Sequence, residues 1–158
     1  MRAEYINPFI SSLVRIFQQM LSCEAKRGAP FIPAANQRRH AISGTIGLSG
    51  MAVGTVVVNL PRSVALKAAK TMLMTDTDPA EADLIDAIGE LTNMIAGAAK
   101  AQLEECELAV SLPNVITGEN HAIHFPSNVA PICVPFETPW GPVVLEVGLT
   151  AVTAAVGG

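Results

Sequence analysis

Asp86, Glu90 and Asn93 stand at intervals of four and three residues, and on a helix turning about 100° per residue such intervals bring side chains onto one face. With Leu84 set at zero, Asn93 falls at about 180°, Asp86 at about 200°, Gly97 at about 220° and Glu90 at about 240°. Ile88, Leu91, Ile95 and Ala98 fall within about 40° of Leu84, which makes an apolar stripe on the opposite side. The polar face therefore offers carboxylates, which accept hydrogen bonds, and a carboxamide, which both donates and accepts them.

That face is costly for a solvent surface. Exposed helix positions are normally filled with strong helix formers such as Lys, Glu, Gln and Arg. Here Asn93 gives up several tenths of a kcal/mol against Ala, and Gly89 and Gly97 roughly 1 kcal/mol each. Stability given up in this way points to something docking closely, with glycine removing side chains that would hold a partner's backbone away. The same residues also fit a solvated charge at Glu90 and a clearance for a neighbouring element at Gly97. A bare Glu-x-x-Asn is a cheap pattern, since Glu4 and Asn7 form another. Periodicity leaves both readings open.

The helix that carries this face is expected over residues 79 to about 104. Asp78 is the expected N-cap, Pro79 takes the first position, and Glu81 completes a capping-box-like pattern. Asp83 and Asp86 keep the first turns negative, as the helix dipole favours. Upstream, Asn7-Pro8 reads as the start of an amphipathic helix running to about residue 23, with Ile10, Leu13, Val14, Phe17 and Leu21 on one side. Residues 28–33 break it. Ile42, Ile46 and Leu48 share one parity of a strand, Gly50 turns the chain, and residues 53–59 form the second strand of a hairpin. Pro61 opens a short helix carrying Val64, Leu66, Ala69 and Leu73. After the long helix, residues 108–117, 123–125, 129–136 and 143–152 read as strands, separated by Pro113, Gly118-Glu119-Asn120 and Pro139-Trp140-Gly141-Pro142. Helix, hairpin, two helices and a run of strands predict an α+β fold with a mostly antiparallel sheet packed against an N-terminal helix and a central helix pair. One domain is expected over residues 1–158, with a core of about 5–152 and a frayed Gly157-Gly158 end.

Composition removes several function classes. Half of the 158 residues are apolar and only 4% aromatic, so the core must be built from Val, Ile, Leu, Met and Ala. No apolar run approaches the ~20 residues that cross a bilayer, and the acidic start, Met1-Arg2-Ala3-Glu4-Tyr5, does not read as a signal peptide. A cytoplasmic protein without membrane insertion is expected. A net charge of −4 argues against nucleic acid, which requires clustered cations. Arg38-Arg39-His40, the one basic cluster, reads as a solvated loop. Cys23, Cys106 and Cys133 have the spacing of neither a disulfide framework nor a zinc site and read as reduced, buried thiols. His121 and His124 with Glu119 lack a third ligand at a compelling spacing, so they read as solvent-facing or hydrogen-bonded rather than metal-binding. Ser11, Ser12 and Ser43 have no catalytic partners at interpretable spacing, and Trp140 reads as a packed corner residue.

The stretch from Asp86 through Gly89, Glu90 and Asn93 to Gly97 resembles the signature helix of the CheX and CheC chemotaxis phosphatases, in which Asp or Ser, then Glu, then Asn recur at these spacings. The resemblance extends to Ile42-Ser43-Gly44 through Gly50 and Gly54-Thr55-Val56-Val57, similar to the family's Gly-bearing hairpin. It also takes in Leu112-Pro113-Asn114-Val115-Ile116-Thr117-Gly118, similar to the strand after the signature helix, and Asn7-Pro8-Phe9, similar to the family's chain start. A single signature is present, and Pro113, 20 residues beyond Asn93, fits the CheX pattern. Ile116 stands where CheC-type proteins carry proline.

The resemblance implies a phosphatase acting on the aspartyl phosphate of a CheY-type response regulator. It implies that Asn93 positions the attacking water and Glu90 pairs with the receiver's active-site lysine. Asp86, Gly89 and Gly97 would belong to the partner-binding surface, Asp86 being as well placed to steady the helix. The receiver would supply Mg²⁺, with no cofactor of the chain's own, and a homodimer paired through the sheets is implied. The alternative is a non-catalytic module that binds a receiver or a flagellar-switch component through the same face.

Overall fold

An amphipathic helix, α1 (Ala3–Leu21), opens the fold in the structure, a computed structural model that describes residues 3–152. It begins earlier than Asn7-Pro8 predicts. Tyr5 and Ile6 are buried with Phe9 and Leu13, and burying that extra apolar turn outweighs the one backbone hydrogen bond that Pro8 cannot donate. The expectation for Gly157-Gly158 lies outside the described residues.

The hairpin is present as β2 (Ile42–Ser49) and β3 (Ala52–Leu60), which follow the two-residue strand β1 (Lys26–Arg27). Two helices come next, α2 (Arg62–Leu73) and α3 (Glu81–Ala101), and then the strands β4 (Ala109–Val110), β5 (Asn114–Thr117), β6 (Ile132–Thr138) and β7 (Gly141–Ala151). The seven strands form one antiparallel sheet in the order β1-β6-β7-β3-β2-β4, with β5 also on β2. The expected α+β architecture is therefore present.

Alternation decides which side of the sheet the helices cover. Ile42, Ile46 and Leu48 of β2, Val56, Val58 and Leu60 of β3, and Leu145, Val147 and Leu149 of β7 join the core with residues of all three helices. Ser43, Asn59 and Glu146 alternate with these residues and point to the outer face.

Further expectations change, among them the single strand over residues 108–117, which is divided into β4 and β5. Ala80, not Asp78, is the N-cap of α3, and it makes no side-chain cap bond. Asp78 instead takes an ion pair with Lys70 of α2 at 2.6 Å, while Arg62 pairs with Glu81, so the acidic entry to α3 is spent on tying the two helices together. Residues 123–125 are not a strand; the 118–131 segment crosses the outer face instead, where Phe125 and Val129 lie over Gly148. Arg39 is not solvated. It makes a bidentate pair with Glu146 at 2.7 and 2.8 Å, because the buried Glu146 carboxylate must find a cation. The three cysteines are free and buried, as expected, and Trp140 packs against the core edge.

Candidate functional site

The helical stripe determines what α3 can present. Leu84, Ile88, Leu91 and Ile95 are fully buried, each worth roughly 1.5–3 kcal/mol, and they fix the roll of the helix about its axis. Asp86, Glu90 and Gly97 then lie exposed and Asn93 half-buried, on one outward ridge. Among the described residues, none of the Asp86, Glu90 and Asn93 side chains has a hydrogen bond or ion pair. Gly97 is open on its outer side, with nothing within 4 Å of where a Cβ would stand.

Gly89 lies elsewhere. It is buried, and a Cβ there would meet Pro113 and Val115 at 3.5 and 3.6 Å. Its clearance faces the chain's own β5 segment, at a distance an alanine would tolerate.

The ridge is bordered by two grooves that periodicity could not reveal. One, of about 310 Å³, lies between α2 and α3 and is lined by Met72, Leu73, Asp83, Asp86, Ala87 and Glu90. The other, of about 520 Å³, runs beside Asn93 and Gly97 to Leu103, Leu108 and Val110. Leu73 is partly exposed at the first groove, Met74 beside it is 92% exposed, and Leu112, next to Pro113, is 86% exposed. Met74 caps α2 in the left-handed conformation at φ 54°, which swings it clear of the helix. Of these exposed side chains only Leu73 lines the groove that holds Asp86 and Glu90. Their signal in the sequence is only that Leu73-Met74 and Leu112 sit beside turns.

The second candidate cluster, on the outer face, is closed. His121 Nδ1–H donates to the Gly118 carbonyl at 2.7 Å, since a carbonyl only accepts, so its Nε2 accepts from the Ser43 hydroxyl at 2.7 Å. Asn59 Nδ2 donates to Ser43 Oγ at 2.8 Å and to the Ile42 carbonyl at 3.1 Å, while its Oδ1 accepts from the His40 N–H at 2.8 Å. Ser43 does have a histidine partner, 78 residues away, which no local spacing could show. With Ser43 wholly buried, the hydroxyl is a strut and not a nucleophile. Burial, and then the Glu146 charge, push the nearby Cys133 thiol up to about 12, so this face stays neutral at sulfur. His124 is exposed and apart from the network.

The comparisons with known proteins agree on the class. The fold is that of the CheC-like proteins: a CheC-like superfamily protein from Shewanella superposes with a TM-score of 0.84 at 30% identity, covering 96% of this chain and 100% of its own. Residues 42–137 match the family model described as chemotaxis phosphatase CheX, and the chain belongs to that family. A CheY-P phosphatase CheX of Thermotoga maritima is 28% identical over 123 residues, 76% of this chain and 79% of the relative. CheX of Borrelia burgdorferi, solved in complex with CheY, BeF3 and Mg²⁺, shares the fold with a TM-score of 0.76 at 22% identity, covering 94% of this chain and 99% of its own.

Proposed function

We propose that this protein hydrolyses the aspartyl phosphate of a CheY-type receiver domain. In this reading Asn93 positions the attacking water and Glu90 engages the receiver's active-site lysine. The observation that carries it is the α3 ridge itself, where Glu90 and Asn93 project without partners beside the open Gly97. Membership of the CheX family, the Thermotoga relative that acts on phosphorylated CheY and the Borrelia complex with CheY support the choice of substrate.

The chemistry requires little beyond orientation. An acyl phosphate is reactive already and the receiver brings its own Mg²⁺, so the chain adds position rather than a nucleophile or a metal. The Asn93 carboxamide accepts a hydrogen bond from water while its N–H donates toward the phosphoryl oxygens. The water oxygen attacks phosphorus in line, the bond from phosphorus to the aspartyl oxygen breaks, inorganic phosphate leaves, and the receiver's carboxylate is restored. The exposed Glu90 carboxylate pairs with a lysine and sets the register of the two proteins. Asp86 and Gly97 extend the contact surface along the ridge, with Gly89 on the flank that faces Pro113. The same reading puts the protein in the cytoplasm with its receiver, as a homodimer joined through its sheets.

The test is loss of phosphate from a panel of purified phosphorylated receivers, with and without the protein. Acceleration of at least one receiver, weakened by Glu90→Ala through a raised KM, is expected. No acceleration of any receiver overturns the reading, and binding without acceleration identifies a non-catalytic module.

A further inference from the structure

Resting on that proposed function, we infer that Gly44 of β2 and Thr92 of α3 form a positioning contact that sets the height of the catalytic turn above the sheet. The contact lies directly beneath the turn. Thr92 precedes Asn93, and Ile88 lies two residues before Glu90. Thr92 is buried, and its hydroxyl donates to the Ile88 carbonyl at 2.8 Å, which locks the side chain against its own helix. Gly44 faces this point from the sheet. A Cβ on Gly44 would overlap Thr92 Oγ1 and stand 3.0 Å from Thr92 Cβ and 3.3 Å from the Ile88 carbonyl oxygen.

The helix backbone therefore rests on β2 at the one residue of that strand's inner face that lacks a side chain. Ile42, Ile46 and Leu48, its neighbours on that face, are all buried aliphatics. A glycine in a strand interior gives up stability and commonly marks a close backbone approach. Gly44 does not need it for its own conformation, since it carries no positive φ. What it permits is the approach of the 88–92 segment, with Glu90 and Asn93 on the far side of the same turn. Water orientation is sensitive to displacements of about 1 Å, which cost on the order of 100-fold in rate. Docking is spread along the ridge and tolerates more.

The experiment compares wild type, Gly44→Ala, Thr92→Ala and the double variant. Its readouts are kcat and KM on a phosphorylated receiver, thermal melting, and the backbone amide resonances of residues 90–93. Gly44→Ala is expected to lower kcat about 10- to 100-fold with KM within about threefold, and to shift those resonances. Adding Thr92→Ala removes Oγ1, the closest overlap, but keeps the approaches to the residue-92 Cβ at 3.0 Å and the Ile88 carbonyl oxygen at 3.3 Å. The double variant should therefore recover part of the kcat lost in Gly44→Ala and move the resonances back toward those of Thr92→Ala alone. Should Gly44→Ala fail to fold, Thr92→Val, which puts a methyl where the hydroxyl meets Gly44, is expected to lower kcat with KM kept.

Unchanged kcat in Gly44→Ala, or in Thr92→Val where that stands in, overturns the inference. So does a loss of which the double variant recovers no part although its melting temperature returns. If wild type itself accelerates no receiver, the proposed function fails separately. The resonances then decide whether the contact positions the turn: a shift that the double variant reverses in part upholds it, and no shift overturns it.

Discussion

On the outer face of the sheet Arg39 closes on Glu146, and Ser43 on Asn59 and His121, while on the α3 ridge Asp86, Glu90 and Asn93 close on nothing among the described residues. Both clusters are polar, the ridge on a single helix and the outer-face cluster on strands β2, β3 and β7 with Arg39 and His121 reaching in from loops. They differ in whether the chain satisfies its own groups. A buried polar group must be paired within the fold or it costs the desolvation it cannot recover, so the outer-face cluster is explained by stability alone. The ridge gains nothing for stability from its Asn and its open glycine. The contrast separates groups that hold the molecule together from groups that the fold leaves without partners among the described residues.

Mutations should divide along that line, and the largest effect belongs to the outer face. Arg39→Ala leaves the buried Glu146 carboxylate unpaired and should cost about 3–5 kcal/mol in urea unfolding, while Glu146→Ala leaves the part-buried Arg39 unpaired and should cost about 1–3 kcal/mol. Asn59→Ala strands the His40 N–H and removes the donor to Ser43 Oγ, which keeps only its bond to His121, and should cost about 1–3 kcal/mol by the same measurement. A loss under about 0.5 kcal/mol, the range of an ordinary surface substitution, at either site would erase the contrast. Gly97→Ala should move the other way, stabilising by up to ~1 kcal/mol while slowing dephosphorylation, because a methyl enters the cleared surface. Stabilisation with full activity would remove Gly97 from the contact surface.

The smallest effect at neutral pH concerns Cys133. Its thiol is raised from 9.0 to about 12 by burial first and by Glu146 next, so the folded state holds the proton longer than the unfolded chain does. That contribution is fully present below pH 9 and is lost as pH rises from 9 toward 12. Unfolding midpoints across that window should fall for wild type and fall less for Cys133→Ala.

The parts that sequence could disclose were those governed by period. The 3.6-residue pattern of α3 placed Leu84, Ile88, Leu91 and Ile95 inside and Glu90 outside, and the alternation in β2 placed Ile42, Ile46 and Leu48 inside. Pairing across distance was hidden. Nothing near Arg39 in the chain announces Glu146, and nothing near Ser43 announces His121. Asp78 looked like a cap because its local pattern is that of a cap, yet a lysine from α2 competes for it and wins. Gly89 and Gly97 looked alike as helix glycines. Only the packing of Pro113 and Val115 distinguishes a glycine turned toward the fold from one turned toward solvent. Resemblance alone proposes which residues of the ridge form the site; the grooves beside them came from tertiary structure.

The central claim is that the Asn93 carboxamide does catalytic work without structural work. Single-turnover dephosphorylation of a phosphorylated receiver by Asn93→Ala, set beside its unfolding curve, tests this most directly. The account predicts a rate at the receiver's own spontaneous level, with stability equal to wild type or higher by several tenths of a kcal/mol. A variant that matches the wild-type rate, or that loses rate only in proportion to lost stability, would contradict it.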